Sequence, residues 1–175
     1  MSFTRLLLLA FVSVYVTLEV STPQASSPPL RFEGGAASVA ELVQEFIEVL
    51  EANDPDGLQR LRVTEREYRE LVVPGNVRKG EPAQVLSTEA SEYFWQLMDQ
   101  KSRHFQELLL LRFGGETYAI NTVEFEKGHK EYAGHQAWRR LALVVTDERG
   151  NERLIRTGSI IERDDRFKFV SFIRD

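Results

Sequence analysis

Residues 116–174 constrain the fold more than any other stretch, because they read as consecutive β-strands. Residues 116–125 alternate between two faces with the period of two that a half-buried strand shows. Further strands are predicted at 132–146, 153–162 and 167–173, with polar turns between them. Connections this short fit hairpins and not parallel crossovers, so the sequence predicts four antiparallel strands.

Helices are predicted in the chain that precedes these strands. Ser38 with Glu41, and Thr64 with Glu67, have the spacing of a capping box, so a helix is expected to start at each pair. A short helix is expected between them, around Leu58. The predicted fold class is therefore α+β, with N-terminal helices packed on one face of a four-stranded antiparallel sheet.

The longest predicted helix opens at Thr88 and ends at the Gly114-Gly115 pair. Its apolar side chains recur at helical spacing, which predicts the stripe that faces the sheet. Asp99 lies on the flank of that stripe and is expected to be solvated. The predicted stripe comprises Ala90, Phe94, Leu97, Met98, Lys101, Phe105, Leu108 and Leu109, with Lys101 as its one polar member.

The N-terminus has the layout of a secretory signal peptide. Arg5 is followed by an apolar run at 6–18 that is short for a membrane span. We predict a signal peptide at 1–25, a flexible linker rich in Ser, Pro and Gly at 26–37, and one folded domain at 38–175. The expected location is secreted or periplasmic. An uncleaved segment is the alternative, and it would be the chain's only contact with a membrane.

Composition excludes several classes of function. The formal net charge is -5 and no basic stripe is visible, which argues against a nucleic-acid partner. The chain has no cysteine, so disulfides, thiolate metal sites and cysteine nucleophiles are excluded. No nucleotide loop, serine elbow or zincin helix is present, and no cofactor is predicted.

A few residues are candidates for the wall of a ligand pocket. Histidines and an arginine are considered because an acid–base or anion-stabilising site needs such groups in a cavity. The aromatic residues are considered as pocket floor, although core packing is their commoner role. No catalytic residue and no metal site is predicted. The candidates are Trp95, His104, Tyr118, His135, Trp138 and Arg139.

The second predicted strand is apolar on both faces towards its end. Leu141, Leu143 and Val145 share one face, and Ala142 and Val144 share the other. A strand of this kind is usually covered on both sides. The open sheet face is therefore a candidate homodimer interface, with tolerated surface exposure as the alternative.

The order of elements resembles the NTF2-like superfamily, including its SnoaL-like members. The resemblance covers 38–175 and is carried by the closing stretch 158–172, by the order Glu-Tyr-Arg-Glu-Leu-Val-Val-Pro at 67–74, and by a Trp-containing long helix with a Gly-Gly break. Secreted bacterial proteins of this fold share these features. The resemblance implies a cone in which the helices and the concave sheet face enclose a cavity.

This superfamily hosts enzymes as well as non-catalytic domains, so the fold alone assigns no chemistry. The catalytic acids and histidines of its enzymes are not clearly placed in this sequence. We therefore expect an exported, non-catalytic domain that binds a small apolar ligand or a protein partner in the cell envelope. The alternative is a SnoaL-like isomerase or hydrolase acting on a small organic molecule. In it, His104 or His135 would be the base, and Tyr118 or Arg139 would stabilise negative charge.

Overall fold

The computed structural model describes residues 31–82 and 85–174. The predicted signal peptide at 1–25 lies outside the described residues. In the described ranges, no helix combines the length and the apolar character that crossing a membrane requires.

The helices follow the capping signals of the sequence. The Ser38 side chain accepts a hydrogen bond from the backbone N–H of Glu41 at 3.1 Å, and the capping box of Thr64 and Glu67 is present in full. A π-helical turn interrupts the middle of the helical region. The helices are α1 (Val39–Glu51), α2 (Pro55–Arg60), α3 (Glu65–Glu67), the π-turn (Tyr68–Val72), α4 (Val73–Gly75) and α5 (Thr88–Phe113).

Seven antiparallel strands form two sheets in the described chain. The first sheet has the order β1-β4-β5 and the second has the order β2-β3-β6-β7. The strands are β1 (Tyr118–Phe125), β2 (His129–Glu131), β3 (Gln136–Trp138), β4 (Leu141–Asp147), β5 (Glu152–Arg156), β6 (Ile160–Arg163) and β7 (Arg166–Phe169).

The prediction of helices with antiparallel strands is confirmed, but that of one four-stranded sheet is wrong. The expected strand at 132–146 is broken between β3 and β4, where Arg140 takes a φ of 59° that a regular strand excludes. The expected strand at 153–162 is broken between β5 and β6 around Gly158. A methyl group on Gly158 would overlap the carbonyl oxygen of Ser171, so this close passage requires glycine. Leu141 bonds both Thr157 and Gly158 and thereby links the two sheets.

Two apolar clusters form the core. The first lies under α1 and joins Phe46 to Phe169 and Phe172, whose rings stack at 5.2–6.0 Å in pairs. The second lies between the π-turn, α5 and the second sheet, and its fully buried members include Val72, Trp95, Ala137 and Ile161. The second cluster is the one that borders a cavity.

The folded domain begins before Ser38. Phe32 and Ala36 are buried, and Ala36 exchanges backbone hydrogen bonds with Phe167 on β7. The predicted linker at 26–37 was expected to pack against nothing. The described part of it instead adds to the second sheet, because Ala36 finds backbone partners at the edge strand.

Candidate functional site

A cavity of about 310 Å³ lies between the π-turn, α5 and the second sheet. Its lining surface is somewhat more apolar than polar, and hydroxyl, amide and basic side chains alternate with aliphatic ones. This is the usual make-up of a small-molecule site, at the small end of the range of such volumes. The apolar members are Val72, Met98, Ala137, Ile161, Val170 and Ile173, and the polar members include Tyr68, Asn76, Tyr132, His135, Arg139, Ser159 and Ser171.

The π-turn positions one side of this cavity. It carries both Tyr68 and Val72 into the wall, and the N–H of Val73 bonds the carbonyl of Tyr68. Pro74 follows directly and has no N–H with which to continue an α-helical pattern. Single π-turns of this kind are found frequently at functional sites. The Tyr68 hydroxyl makes no hydrogen bond with a described residue, and burial raises its pKa.

His135 is the buried histidine of the cavity wall. Its ring lies 4.9 Å from that of Tyr132, and its Nδ1 is buried without a hydrogen-bond partner in the described structure. Nδ1 faces Gly75, where an added methyl group would lie 3.0 Å away. Burial lowers the pKa of His135 to about 4, with a further contribution from the positive charge of Arg163. The imidazole is therefore neutral at neutral pH.

Arg139 lines the cavity at the end of β3. Its backbone is fixed by two hydrogen bonds, with Gly128 as acceptor at 2.9 Å and Lys127 as donor at 3.2 Å. The side chain is half-buried, and it makes no ion pair or hydrogen bond within the described parts of the chain. Its charge is thus available to a ligand.

No carboxylate belongs to the described wall of this cavity. Acid–base catalysis usually pairs a base with an acid whose pKa values lie near the working pH. An imidazole with a pKa of about 4 binds a proton weakly and is a poor base. The arrangement can bind and orient a small molecule through hydrogen bonds and one positive charge.

Trp95 lies next to the cavity and not in its wall. Its ring packs 5.5 Å from that of Tyr68, and the guanidinium of Arg62 lies 5.9 Å from its centre. Trp95 therefore packs against the Tyr68 ring without itself lining the cavity.

The other candidates lie elsewhere. His104 points to solvent from α5, with 67% of its side chain exposed. Tyr118 lies in the other sheet, donates its hydroxyl to Glu116 at 3.1 Å and packs in the first core cluster. Burial and the Glu116 carboxylate raise the pKa of Tyr118 to about 12. Trp138 packs between His129 and Phe167 on the sheet face opposite Ala137. The structure thus brings together only His135 and Arg139 from the predicted set.

The buried face of α5 is rotated from the predicted stripe. Phe94 and Leu97 are exposed, whereas Ser91, Ser102 and Gln106 are buried. Ser102 accepts the N–H of Phe172 at 2.9 Å, and the amide nitrogen of Gln106 donates to the carbonyl of Pro55 at 2.6 Å. Hydrogen bonds to residues distant in the chain orient this helix. The spacing of its apolar residues therefore does not predict which face is buried.

Two buried ion pairs were missed by the sequence reasoning. Arg62 is fully buried and donates to Asp99 at 3.0 Å, so the expectation that Asp99 is solvated is wrong. Lys168 and Glu67 form the second pair. A capping box was the only sequence signal for Glu67, and nothing local marks Arg62 or Lys168 as buried.

The described residues contain no group of three or more His, Asp or Glu side chains placed to hold a metal ion. His129 bonds Gln136 at 2.8 Å and stacks on Trp138, so it does not converge with His135.

Comparison with known proteins adds no assignment. No protein-family model, no curated protein and no solved structure matches the chain.

Proposed function

We propose that this chain is an exported NTF2-like domain that binds a small, largely apolar ligand in the cavity lined by Tyr68, His135 and Arg139, without catalysing a reaction on it. The observation that carries this proposal is the wall of the cavity. The cavity of about 310 Å³ has a lining surface that is more apolar than polar, and no carboxylate lies among its described lining residues.

The chemistry of His135 favours binding over catalysis. A SnoaL-like isomerase or hydrolase would need a base that takes a proton near neutral pH. Burial lowers the pKa of His135 to about 4, so the imidazole is neutral near neutral pH but takes up a proton only in acidic solution. Neutral imidazole is well suited to a fixed hydrogen bond with a ligand.

The NTF2-like part of the proposal draws support from the bends in the sheet. β3 and β4 follow each other across Arg140, and β5 and β6 follow each other across Gly158. If each pair is taken as one bent strand, the two sheets become one strongly curved surface with the cavity on its inner side. Export is proposed from the apolar run at 6–18 alone.

The size of the cavity limits the ligand. Its volume corresponds to about ten water molecules, because one water occupies about 30 Å³ in the liquid. Each buried methylene group contributes about 0.8 kcal/mol, from which the cost of immobilising the ligand is subtracted. An eight-carbon chain is therefore expected to bind in the micromolar to millimolar range.

Isothermal titration of the purified domain with 1-octanol tests the proposal. We expect saturable binding with a negative heat-capacity change, the sign of buried apolar surface. Ala137→Leu fills the cavity and is expected to abolish binding, and Val170→Phe does the same from another strand. The matched control is Ala119→Leu, at an exposed position of β1. Equal 1-octanol binding by the wild type, the two cavity-filling variants and the control would overturn this assignment of the cavity.

A further inference from the structure

Arg139 carries a positive charge that the fold does not neutralise. The side chain is half-buried at the cavity wall, and no carboxylate of the described chain lies within 4.0 Å of it. Most other arginines near this site are paired. Arg62 is bonded to Asp99, and Arg69 lies 3.2 Å from Glu65.

Arg163 lies beside the cavity and not in its wall. Its Nη1 donates to the carbonyls of Leu71 at 3.5 Å and Gly134 at 3.3 Å, which places the guanidinium beside His135. Asp164 is its nearest carboxylate, at 3.6 Å, and is exposed. The acidic residues closest to His135 along the strands, Glu131 and Glu162, line an adjoining depression and not the cavity.

The cavity wall holds one half-buried guanidinium and no carboxylate in the described chain. An anion in the cavity would gain a charged hydrogen bond from this arginine. A ligand cation would meet the same charge without compensation. A neutral ligand would leave the guanidinium as it is. The electrostatics therefore select an anion.

The remainder of the wall selects an apolar body. Val72, Met98, Ala137 and Ile161 line the cavity among the polar groups, and the free hydroxyl of Tyr68 can donate one hydrogen bond. The volume admits about ten non-hydrogen atoms if each occupies the space of one water molecule. A ligand with an anionic head group and a short apolar chain matches the charge, the lining and the volume of the cavity.

We propose that the ligand is a monoanionic amphiphile, a medium-chain carboxylate of about ten non-hydrogen atoms, whose carboxylate is bound by Arg139 and whose chain packs on the apolar residues of the cavity wall. This inference depends on the proposed function, because it assigns the chemical class of the ligand for the same cavity. Arginine presents a planar fork of N–H donors that matches a carboxylate, and such charged hydrogen bonds are stronger than neutral ones.

The test compares octanoate with 1-octanol, which share one chain length and differ in charge, by isothermal titration at neutral pH. Wild-type protein is expected to bind octanoate roughly tenfold more tightly than 1-octanol. Arg139→Gln is expected to lower the octanoate affinity to about that of 1-octanol and so to remove this preference. Arg78→Gln makes the same change in net charge at an exposed side chain outside the cavity wall and is expected to leave both affinities unchanged.

The outcomes separate this inference from the proposed function. Equal binding of octanoate and 1-octanol to wild-type protein overturns the anionic ligand, while the apolar cavity stands. Absence of binding by either compound overturns both. Equal weakening of the two by Arg139→Gln overturns the contact between Arg139 and the carboxylate. If Arg139→Gln fails to fold, the comparison of the two ligands in wild-type protein still tests the inference. Arg139→Met, which keeps the aliphatic part of the side chain, then replaces Arg139→Gln.

Discussion

The ammonium group of Lys168 lies 2.8 Å and 3.0 Å from the two carboxylate oxygens of Glu67, and both side chains are almost fully buried. The same carboxylate accepts the backbone N–H of Glu33 at 2.6 Å and that of Thr64 at 2.7 Å. One side chain thus fixes the first described segment, the start of α3 and strand β7.

Glu67→Gln should destabilise the protein strongly, because it leaves the Lys168 ammonium buried without an opposite charge. Removing one partner of a buried pair typically costs about 3–5 kcal/mol. Urea unfolding followed by circular dichroism measures the loss. The matched control is Glu65→Gln, whose exposed carboxylate pairs with Arg69 and should contribute less than about 1 kcal/mol. Similar losses for the two variants would contradict the role assigned to this pair.

Asp99→Asn should also destabilise the protein, by about 3 kcal/mol, because Arg62 is fully buried and Asp99 is its one carboxylate partner in the described chain. Burial lowers the pKa of Arg62, and the Asp99 carboxylate partly offsets that effect. Thermal unfolding measures the effect. Arg103→Gln removes the solvent-exposed partner of the same carboxylate and should cost under about 1 kcal/mol. A larger loss from Arg103→Gln than from Asp99→Asn would reverse this ranking.

His135 should make stability depend on pH in mildly acidic solution. Its pKa is lowered from 6.5 to about 4, first by burial and then by Arg163. Between these values the unfolded chain binds a proton that the folded chain does not, so the free energy of unfolding falls as the pH falls. The free energy of unfolding is therefore unaffected by His135 above pH 6.5, and the loss of stability that His135 causes grows as the pH falls towards 4.

The size of this effect is about 2–3 kcal/mol, since one pKa unit corresponds to about 1.4 kcal/mol and residual solvent contact reduces the total. Urea unfolding at a series of pH values, compared between wild type and His135→Gln, isolates the histidine from the carboxylates that titrate nearby. The two stability curves should diverge below pH 6.5. Parallel curves would mean that His135 takes up a proton in the folded state as readily as in the unfolded chain.

Gly158→Ala should disrupt the bend between β5 and β6. A methyl group there would overlap the carbonyl of Ser171, and both groups belong to backbone that is held by hydrogen bonds. Overpacking of this kind costs about 3 kcal/mol or more. Gly128→Ala is the matched control, because its surroundings are open and only its φ of 64° opposes the change, at about 1 kcal/mol. Melting temperatures rank the two, and an unchanged value for Gly158→Ala would show that the strands can separate at this point.

The sequence predicted what local chemistry controls. The N-cap at Ser38, the capping box at Thr64 and the end of α5 before Gly115 all follow from hydrogen bonds and backbone freedom within a few residues. The positive φ of Arg140 could not be predicted from the sequence, because arginine has no preference for positive φ. The surrounding sheets impose this conformation. The rotation of α5 was missed because Ser102 and Gln106 find partners far away in the chain.

The site was predictable to a similar degree. His135 and Arg139 share one face of an apolar strand, and that pattern placed both near a pocket. His104 was misplaced together with the stripe of α5. Tyr68 has no distinguishing sequence signal, since its position depends on a π-turn whose register is set by the packing around it.

The π-turn makes the cavity sensitive to chain length in a way that point substitutions do not reveal. It holds one residue more than an α-helical turn would between Tyr68 and Val72. Deleting one residue there would restore α-helical winding with little rotation of the flanking segments, because an i to i+4 turn would replace the i to i+5 turn. Tyr68 and Val72 would lie one residue closer along the chain, so the wall that they form together would change shape. A one-residue deletion in this turn is therefore expected to alter the cavity wall while the segments on either side keep their register.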